Sequence, residues 1–416
     1  MRNIFFTKLS LILVVCVDVM GQGLLFPILN TAITDPASGF LPTKVTEATR
    51  SFDYGLTIGI FFLAWFLGAV YISRISDSVG RKKGIIICLL GTLIGYALTL
   101  WALRVNSLVL IFLGRAVNGF TAGSQPIAQA AMVDLSKNKT EKVQNLGYII
   151  AGNAFGVIAG PIFSGILSNK AFIGTFASLE LPLYAATGLV LFVLFLILFF
   201  YQEIQATYVP LSIQPQEVIL QLWRITEFPV IMKISVVFFF SQFVSTTVWV
   251  FLVNFMSNRF DFGTPGTSAS LIIFGISMTV AGFYLVPLFE KNFVKQTIIT
   301  GAILTEILSI LVLILSPNFL IACLAISVFA IAFSVRYTIF LVVYSLSASQ
   351  SEQGWVMGVS IALFTLGGGI ASIFGGQILG QGFRYPFYMA IISGLLALTM
   401  IKLYWRNSSE IRRILQ

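Results

Sequence analysis

The sequence predicts an all-α polytopic membrane protein, and its composition is the first observation that supports this fold class. Of its 416 residues, 57% are apolar and only 10% are charged, and the mean hydropathy is +0.95. A soluble domain carries about 25% charged residues, so the composition excludes a cytosolic enzyme, a disordered chain and a secreted disulfide scaffold. Histidine, the commonest general base and metal ligand, does not occur. The three cysteines lie in apolar runs, so we expect buried thiols and neither a metal site nor a cofactor.

Twelve apolar stretches form the second observation, because about 20 apolar residues cross ~30 Å of hydrocarbon as a helix. Runs such as LVLFVLFLILFFY do not alternate in polarity, so they do not fit the strands of a membrane β-barrel. We predict helices at 7–34, 52–73, 84–103, 107–133, 143–168, 181–202, 230–257, 268–289, 296–316, 318–347, 354–380 and 385–404.

The distribution of lysine and arginine predicts that both termini lie in the cytoplasm. The side of the membrane that the termini share holds 17 of the 25 basic residues, in loops and at helix ends, and the opposite loops hold six. Cytoplasmic loops carry such an excess, so the formal net charge of +9 reports orientation in the bilayer and not nucleic-acid binding. We expect the first helix to remain uncleaved, because Asp18 interrupts its apolar run and no small-residue cleavage site follows.

A long central segment divides the twelve predicted helices six and six. We therefore predict an N-terminal half at 1–203, a cytoplasmic linker at 204–229 and a C-terminal half at 230–416. This layout fits two repeated halves with a site between them. Within the linker, apolar residues recur at helical spacing after Pro215. They indicate a short amphipathic helix on the membrane surface, with an ordinary structured linker as the alternative.

Four ionisable residues lie deep inside the predicted spans: Asp18, Arg115, Glu306 and Arg336. An ionisable side chain in hydrocarbon costs at least ~2.5–3.5 kcal/mol, so each needs a partner or a function. Glu306 and Arg336 lie at similar depth on consecutive helices, where they can form a structural pair or serve substrate or protons. Without histidine, proton transfer falls to carboxylates, and Asp18 is the preferred candidate.

Polar stripes mark two of the helices, and such stripes must face protein or water because lipid cannot satisfy them. On helix four the stripe includes Arg115, Asn118 and Gln125, and on helix seven it runs from Gln242 to Trp249. A substrate cavity and interhelical hydrogen bonding are the two interpretations.

Helix five carries glycines at steps of four. Gly152, Gly156 and Gly160 precede Pro161. Small residues at this spacing let two helices approach closely, and the proline loosens the backbone locally.

Four segments, in this order, resemble motifs of the major facilitator superfamily, specifically its twelve-span drug:proton antiporter branch, which includes tetracycline-efflux proteins. They are VDVMGQGLLFPIL in helix one, SRISDSVGRKK after helix two, LVLIFLGRAVNGFTAG in helix four and GVIAGPIFSG in helix five. The chain departs from the family pattern at Ser73, Ser78, Asn118 and Ser164. The matching residues are Asp18, Gly21, Gly23, Pro27, Asp77, Gly80, Arg81, Lys82, Arg115, Gly119, Gly156, Gly160, Pro161 and Gly165.

The resemblance implies alternating access by two six-helix halves around a central site. It implies a proton-coupling pair of Asp18 and Arg115, and we add Glu306 as a supporting carboxylate. Candidate gating residues are Asp77, Gly80, Arg81, Lys82, Gly156, Gly160 and Pro161. Candidate substrate contacts are Gln22, Asn118, Gln125, Gln242, Trp249, Arg336 and Tyr337.

We therefore predict a proton-coupled secondary transporter, and not an enzyme, that exports a small amphipathic organic compound across a bacterial inner membrane. The alternative is a proton-coupled carrier of an anionic nutrient, metabolite or siderophore, working in either direction, if Arg115 and Arg336 face one cavity. A more distant alternative is a membrane receptor or sensor that does not transport. The expected partners are the substrate, protons and the lipid bilayer, and we expect a functional monomer without cofactor, metal or nucleic acid.

Overall fold

A computed structural model describes residues 2–203, 220, 222–349, 352–405 and 408–415, and no β-strand occurs among them. The helices, in chain order, are α1 (Arg2–Thr34), α2 (Glu47–Val79), α3 (Arg81–Val105), α4 (Leu108–Phe120), α5 (Ser124–Asp134), α6 (Lys139–Leu167), α7 (Lys170–Ile173), α8 (Leu181–Phe200), α9 (Pro229–Phe260), α10 (Thr264–Val280), α11 (Val286–Asn292), α12 (Lys295–Leu315), α13 (Phe319–Leu346), α14 (Gln353–Leu379), α15 (Tyr385–Met400) and α16 (Ser409–Leu415). Short 3₁₀ turns occur at Pro36–Ser38, Gly174–Phe176 and Arg224–Glu227, and π-helical turns at Ala281–Leu285 and Ile401–Trp405. The prediction of an all-α chain is confirmed.

In the described part of the chain, 11 helices are long and apolar enough to cross a membrane. Each of them lies on one of the twelve predicted stretches. The remaining stretch, the fourth at 107–133, is not one continuous helix but the two shorter segments α4 and α5. The predicted linker helix falls largely outside the described residues.

Pro126 explains the interruption of the fourth span. Proline has no backbone N–H, and its ring collides with the carbonyl four residues earlier, so it kinks or breaks a helix interior and fits best in the first turn. It occupies that place in α5, which begins at Ser124. The chain between α4 and α5 forms short-range bonds instead, from the N–H of Ala122 to the carbonyl of Gly119 and from Gly123 to Thr121.

Helix α2 continues past its apolar stretch. The predicted span was 52–73, whereas α2 extends to Val79. Arg74 and Asp77, which belong to the motif after the predicted span, therefore lie on a helix and not in a loop. The helix ends at Val79, and the next residue, Gly80, has a φ of 104° that is unfavourable for residues with a Cβ.

Polar caps define where other helices begin. The side chain of Asn138 accepts a hydrogen bond from the N–H of Glu141 at 2.9 Å, and the Glu141 carboxylate accepts one from the N–H of Lys137 at 3.1 Å. This reciprocal arrangement satisfies N–H groups that have no partner inside the helix. The start of α6 is therefore encoded locally in the sequence.

Two compact units divide the chain. The first comprises the described residues of Met1–Thr46, Ile60–Gln214 and Gly263–Ile272, and the second those of Glu47–Gly59, Pro215–Phe262 and Ile273–Gln416. In the first unit α1 packs on α5, α6 and α8; in the second, α9 packs on α14 and α15, and α12 on α13. The predicted division at 1–203, 204–229 and 230–416 stays a prediction.

Candidate functional site

Close helix packing in the first unit surrounds the glycines of α6. A Cβ on Gly152 would lie 2.8 Å from the carbonyl oxygen of Ile12, and one on Gly156 would lie 2.5 Å from that of Cys16. Gly160 continues the series against α1, and a Cβ on Gly23 would lie 2.7 Å from Cδ of Pro161. The stripe of small residues therefore brings α6 against the helix that carries Asp18, as the spacing predicts.

Asp18 is half-buried near the middle of α1. Its Oδ2 accepts a hydrogen bond of 2.5 Å from the hydroxyl of Ser124, the first residue of α5. Gln22, one turn further along α1, is also half-buried. On α3, the hydroxyl of Tyr96 is buried against Gly21 and lies within electrostatic range of Asp18 and Arg115.

Arg115 and Asn118 are buried on α4. The Arg115 guanidinium lies 4.2 Å from the centre of the Phe61 ring and is 1% exposed, so the aromatic face stabilises its positive charge. Asn118 is packed against Gly95 of α3. The predicted coupling pair is thus held by separate partners, since Asp18 bonds Ser124 and Arg115 lies over Phe61.

Gln125 and Asn153 form a polar contact between α5 and α6. The Asn153 amide donates to Oε1 of Gln125 at 2.8 Å, and both side chains are half-buried. Gln125 therefore lies on the same helix segment as Ser124, at the interrupted part of the fourth span. The start of α5 therefore carries both the hydroxyl that bonds Asp18 and an amide that bonds α6.

A buried charge pair joins α12 to α13 in the second unit. Nε of Arg336 donates to Oε1 of Glu306 at 2.8 Å, and both side chains are 0% exposed. Arg336 also donates to three residues of α9: the hydroxyl of Ser241 at 2.7 Å, Oε1 of Gln242 at 3.2 Å, and the hydroxyl of Ser245. Depth along the helices predicts the pair, and α9 completes it.

Aromatic rings surround the remaining candidates of the second unit. The rings of Trp249 and Phe274 have their centres 4.8 Å apart. Tyr337 lies 5.9 Å from Phe333 and 6.3 Å from Phe364. Trp249 and Tyr337 are both half-buried, so their faces form part of an apolar environment with a polar edge.

The motif between α2 and α3 forms a cluster of charges. Arg81 is bonded to Asp77 one helical turn earlier, and its Nε lies 3.6 Å from Oδ2 of Asp134 at the end of α5. The next residue, Lys82, donates its N–H to Oε2 of Glu203 at 2.8 Å and its Nζ to the carbonyl of Leu198 at 2.8 Å. Four segments of the first unit therefore meet at this motif: α2, α3, α5 and the end of α8.

Sequence reasoning missed several of these partners. Ser124 lies off the polar stripe of the fourth span, and it was missed because that stripe assumes an unbroken helix. Pro126, two residues later, was the available sign that the helix is interrupted there. Asp134 could have been found as the acidic residue nearest the cytoplasmic end of that span. For Tyr96 and Asn153 the sequence offers no comparable signal. Among the described residues, no group of three or more Cys, Asp and Glu side chains could hold a metal ion.

Comparisons with known proteins found a matching family model and several relatives. A family model for the Major Facilitator Superfamily matches residues 11–291 and 234–415. The class C tetracycline resistance protein of Escherichia coli is 26% identical over 294 residues, which cover 69% of this chain and 68% of that protein. The class B protein of the same organism is 24% identical over 287 residues, or 66% of this chain and 64% of the relative, so the match spans less than two thirds of its length. The quinolone resistance protein NorA of Staphylococcus aureus (strain COL) is 22% identical over 396 residues, 94% of this chain and 95% of that one.

Solved structures share the fold. A D-xylose–proton symporter has a TM-score of 0.77 at 14% identity, covering 97% of this chain and 98% of that one. The human organic anion transporter MFSD10 has a TM-score of 0.67 at 18% identity, covering 95% of this chain and 99% of its own. At such identities the likeness concerns the fold alone.

Proposed function

Because the chain belongs to the Major Facilitator Superfamily, a family of membrane transporters, we propose that it is a proton-coupled exporter of small amphipathic organic compounds. Membership confirms the predicted resemblance, the polytopic helical fold and a location in the cell membrane. The proposal adds proton coupling, the direction of transport and the substrate class. The names of the relatives, tetracycline and quinolone resistance proteins, support a drug-like substrate.

The environment of Asp18 is the observation that carries the proposal. Its carboxylate is half-buried in a membrane-spanning helix and is bonded to a neutral hydroxyl, that of Ser124. Charge in such a position is costly, so a modest change in hydration or in nearby charge can add or remove a proton. Arg115, held over Phe61 on the adjacent segment, supplies a positive charge whose approach would favour proton release.

The second unit supports the substrate class. Trp249 and Tyr337 offer flat apolar faces with polar edges, which suit a ring-containing organic molecule. In the first unit, Gln22, Asn118 and Gln125 are the candidate hydrogen-bonding residues for a substrate. Glu306 already compensates the charge of Arg336, which weakens the case for a carrier of anions.

The cytoplasmic charge cluster supports a gating role for its motif. Asp77, Arg81 and Asp134 link α2, α3 and α5 through ion pairs that are partly solvent-exposed. Such pairs are individually weak, so they can break and re-form during a transport cycle. We propose that Asp77, Gly80, Arg81 and Lys82 latch this side, that Gly156, Gly160 and Pro161 allow α6 to move against α1, and that the transporter works as a monomer.

The test is pH-gradient-driven transport by the purified protein in proteoliposomes. Ethidium, an amphipathic organic cation, and fluorescein, an organic anion, serve as the two probes. Asp18→Asn should abolish gradient-driven transport of ethidium while binding of the dye is retained, because the amide cannot exchange a proton. Asp261→Asn is the matched control, since Asp261 is exposed and its positive φ of 55° is tolerated by asparagine.

Two results would contradict the proposal. Gradient-driven transport that survives in Asp18→Asn would remove this residue from the proton path. Transport of fluorescein, with ethidium neither bound nor carried, would replace the exporter of amphipathic compounds with a carrier of anions.

A further inference from the structure

The interruption between α4 and α5 lies beside Asp18. Ser124 begins α5, and its hydroxyl donates to the Asp18 carboxylate at 2.5 Å. That length is typical of a charge-assisted bond between a hydroxyl and a carboxylate. The two groups are 106 positions apart in the chain, so the contact ties the middle of α1 to the start of α5.

The backbone just before Ser124 is not part of a continuous helix, because α4 ends at Phe120 and α5 begins at Ser124. Pro126 prevents α4 from continuing as a regular helix into α5, so the N–H groups at the start of α5 have no carbonyls of a preceding turn to bind. The positive end of the helix dipole therefore faces the side on which Asp18 lies. A negative charge on Asp18 holds this end in place, and a neutral carboxyl holds it less strongly.

We propose that Ser124 is a positioning residue that transmits the protonation state of Asp18 to the join between α4 and α5. This inference rests on the proposed function, since it takes Asp18 as the group that carries the proton. Arg115 and Asn118 lie on α4, and Gln125 lies on α5. A change at the join therefore alters the relative placement of residues assigned to coupling and to substrate binding.

Among the described residues, few ionisable groups lie close enough to Asp18 to affect its protonation in place of Ser124. From α3, Cys88 and Tyr96 lie within electrostatic range of Asp18, and Arg115 of α4 acts on the same tyrosine. On α1 itself, Cys16 lies two residues before Asp18 and Lys8 lies near the start of the helix. The other titratable side chains described on the elements packed against α1 lie near helix ends or on exposed surfaces: Asp35, Arg81, Lys82, Lys83, Arg104, Asp134, Glu141, Lys142, Tyr148 and Tyr184.

The experiment follows the protonated-carboxyl band of the purified full-length protein by infrared difference spectroscopy during a pH titration, which requires no substrate. The part of the signal that disappears in Asp18→Asn belongs to Asp18. In Ser124→Ala the midpoint of that signal should move by about one pH unit toward alkaline pH, because the ionised form loses a hydrogen-bond donor. Ser124→Thr keeps the hydroxyl and should restore the original midpoint.

Ser10→Ala is the matched control, because Ser10 is a buried serine on α1 that bonds a carbonyl of its own helix. It should leave the midpoint unchanged. The inference is overturned if Ser124→Ala titrates like the unmodified protein, or if Ser124→Thr shifts as far as Ser124→Ala.

The transport assay separates this inference from the proposed function. If Asp18→Asn still transports, the proposed function fails even when the Ser124→Ala midpoint moves. If Asp18→Asn abolishes transport and the Ser124→Ala midpoint stays, only the role of Ser124 fails. Should Ser124→Ala not fold, the decision falls to Ser124→Cys, which keeps a weak donor: a midpoint equal to that of the unmodified protein overturns the inference.

Discussion

Replacing Glu306 with glutamine removes the counter-charge of a fully buried guanidinium, and the contacts of the pair set the expected loss of stability. Nε of Arg336 lies 2.8 Å from Oε1 of Glu306, and neither side chain is exposed. Two unit charges about 4 Å apart attract by about 4 kcal/mol at an effective dielectric constant near 20. Desolvation offsets much of that gain, so the intact pair contributes little net stability. Removing one partner leaves the other charge buried and costs about 3–5 kcal/mol.

The same reasoning predicts that removing both charges is tolerated. In the double variant Glu306→Met with Arg336→Met, no charge remains to be compensated, and two apolar side chains of similar length fill the space. We expect the free energy of unfolding of this variant to lie within about 1 kcal/mol of that of the original protein. The reason is that apolar replacements of buried ion pairs are often neutral or stabilising. Ser241 and Ser245 lose their contact with Arg336, and this loss limits the gain.

Thermal unfolding in detergent, followed by tryptophan fluorescence, measures both effects, and transport by the same proteins in liposomes gives the second readout. If the pair only stabilises the unit, the double variant should transport normally although Glu306→Gln is strongly destabilised. If the double variant folds and does not transport, the pair belongs to the transport site. A Glu306→Gln protein as stable as the original would refute the reasoning, because it would mean that Arg336 does not depend on its counter-charge.

Two further predictions concern packing and pH. Gly156→Ala should lower the thermal midpoint because its Cβ would lie 2.5 Å from the carbonyl oxygen of Cys16, whereas Gly147→Ala on the same helix, with nothing within 4 Å, should be neutral or slightly stabilising; equal midpoints would contradict the close packing of α1 and α6. The hydrogen bond from Ser349 lowers the pKa of Glu352 below its ordinary value of 4.5. The ionised Glu352 therefore contributes stability above pH 4.5, and this contribution is lost as the pH falls through the lowered pKa. Thermal unfolding midpoints measured between pH 3 and 7 should fall less on acidification in Glu352→Gln than in the original protein, and an unchanged pH dependence would contradict this.

The membrane fold could be predicted because hydrocarbon leaves few alternatives to apolar helices. Hydropathy locates a span but not the full helix, and α2 therefore extends to Val79, beyond its predicted end. The Glu306–Arg336 pair follows from depth on consecutive helices, since α12 and α13 are antiparallel neighbours. The hydrogen-bond partners of Arg336 on α9 depend on which face of α9 meets α13, and this face is set by tertiary packing.

The partner of Asp18 could not be predicted in the same way. The polar stripe of the fourth span assumes a constant 3.6-residue period, and Pro126, directly after Gln125, lies where the helix is interrupted and that period ends. Ser124 then leaves the expected face and reaches α1. The sequence contains the cause of the break, but the direction in which α5 departs depends on its packing against α1, α3 and α6.

The two units treat their buried charges differently, and the difference bears on where protons are handled. Glu306 faces the opposite charge of Arg336, so protonation of Glu306 would leave a buried guanidinium uncompensated. Asp18 faces the neutral hydroxyl of Ser124, and Arg115 has the face of Phe61 as a separate partner. Among the described contacts of Asp18, none is a direct bond to a positive charge. Protonation of Asp18 therefore does not deprive a bonded cation of its counter-charge. Since a proton carrier must be stable in both of its states, we expect proton exchange at Asp18 and a fixed, neutral pair at Glu306 and Arg336.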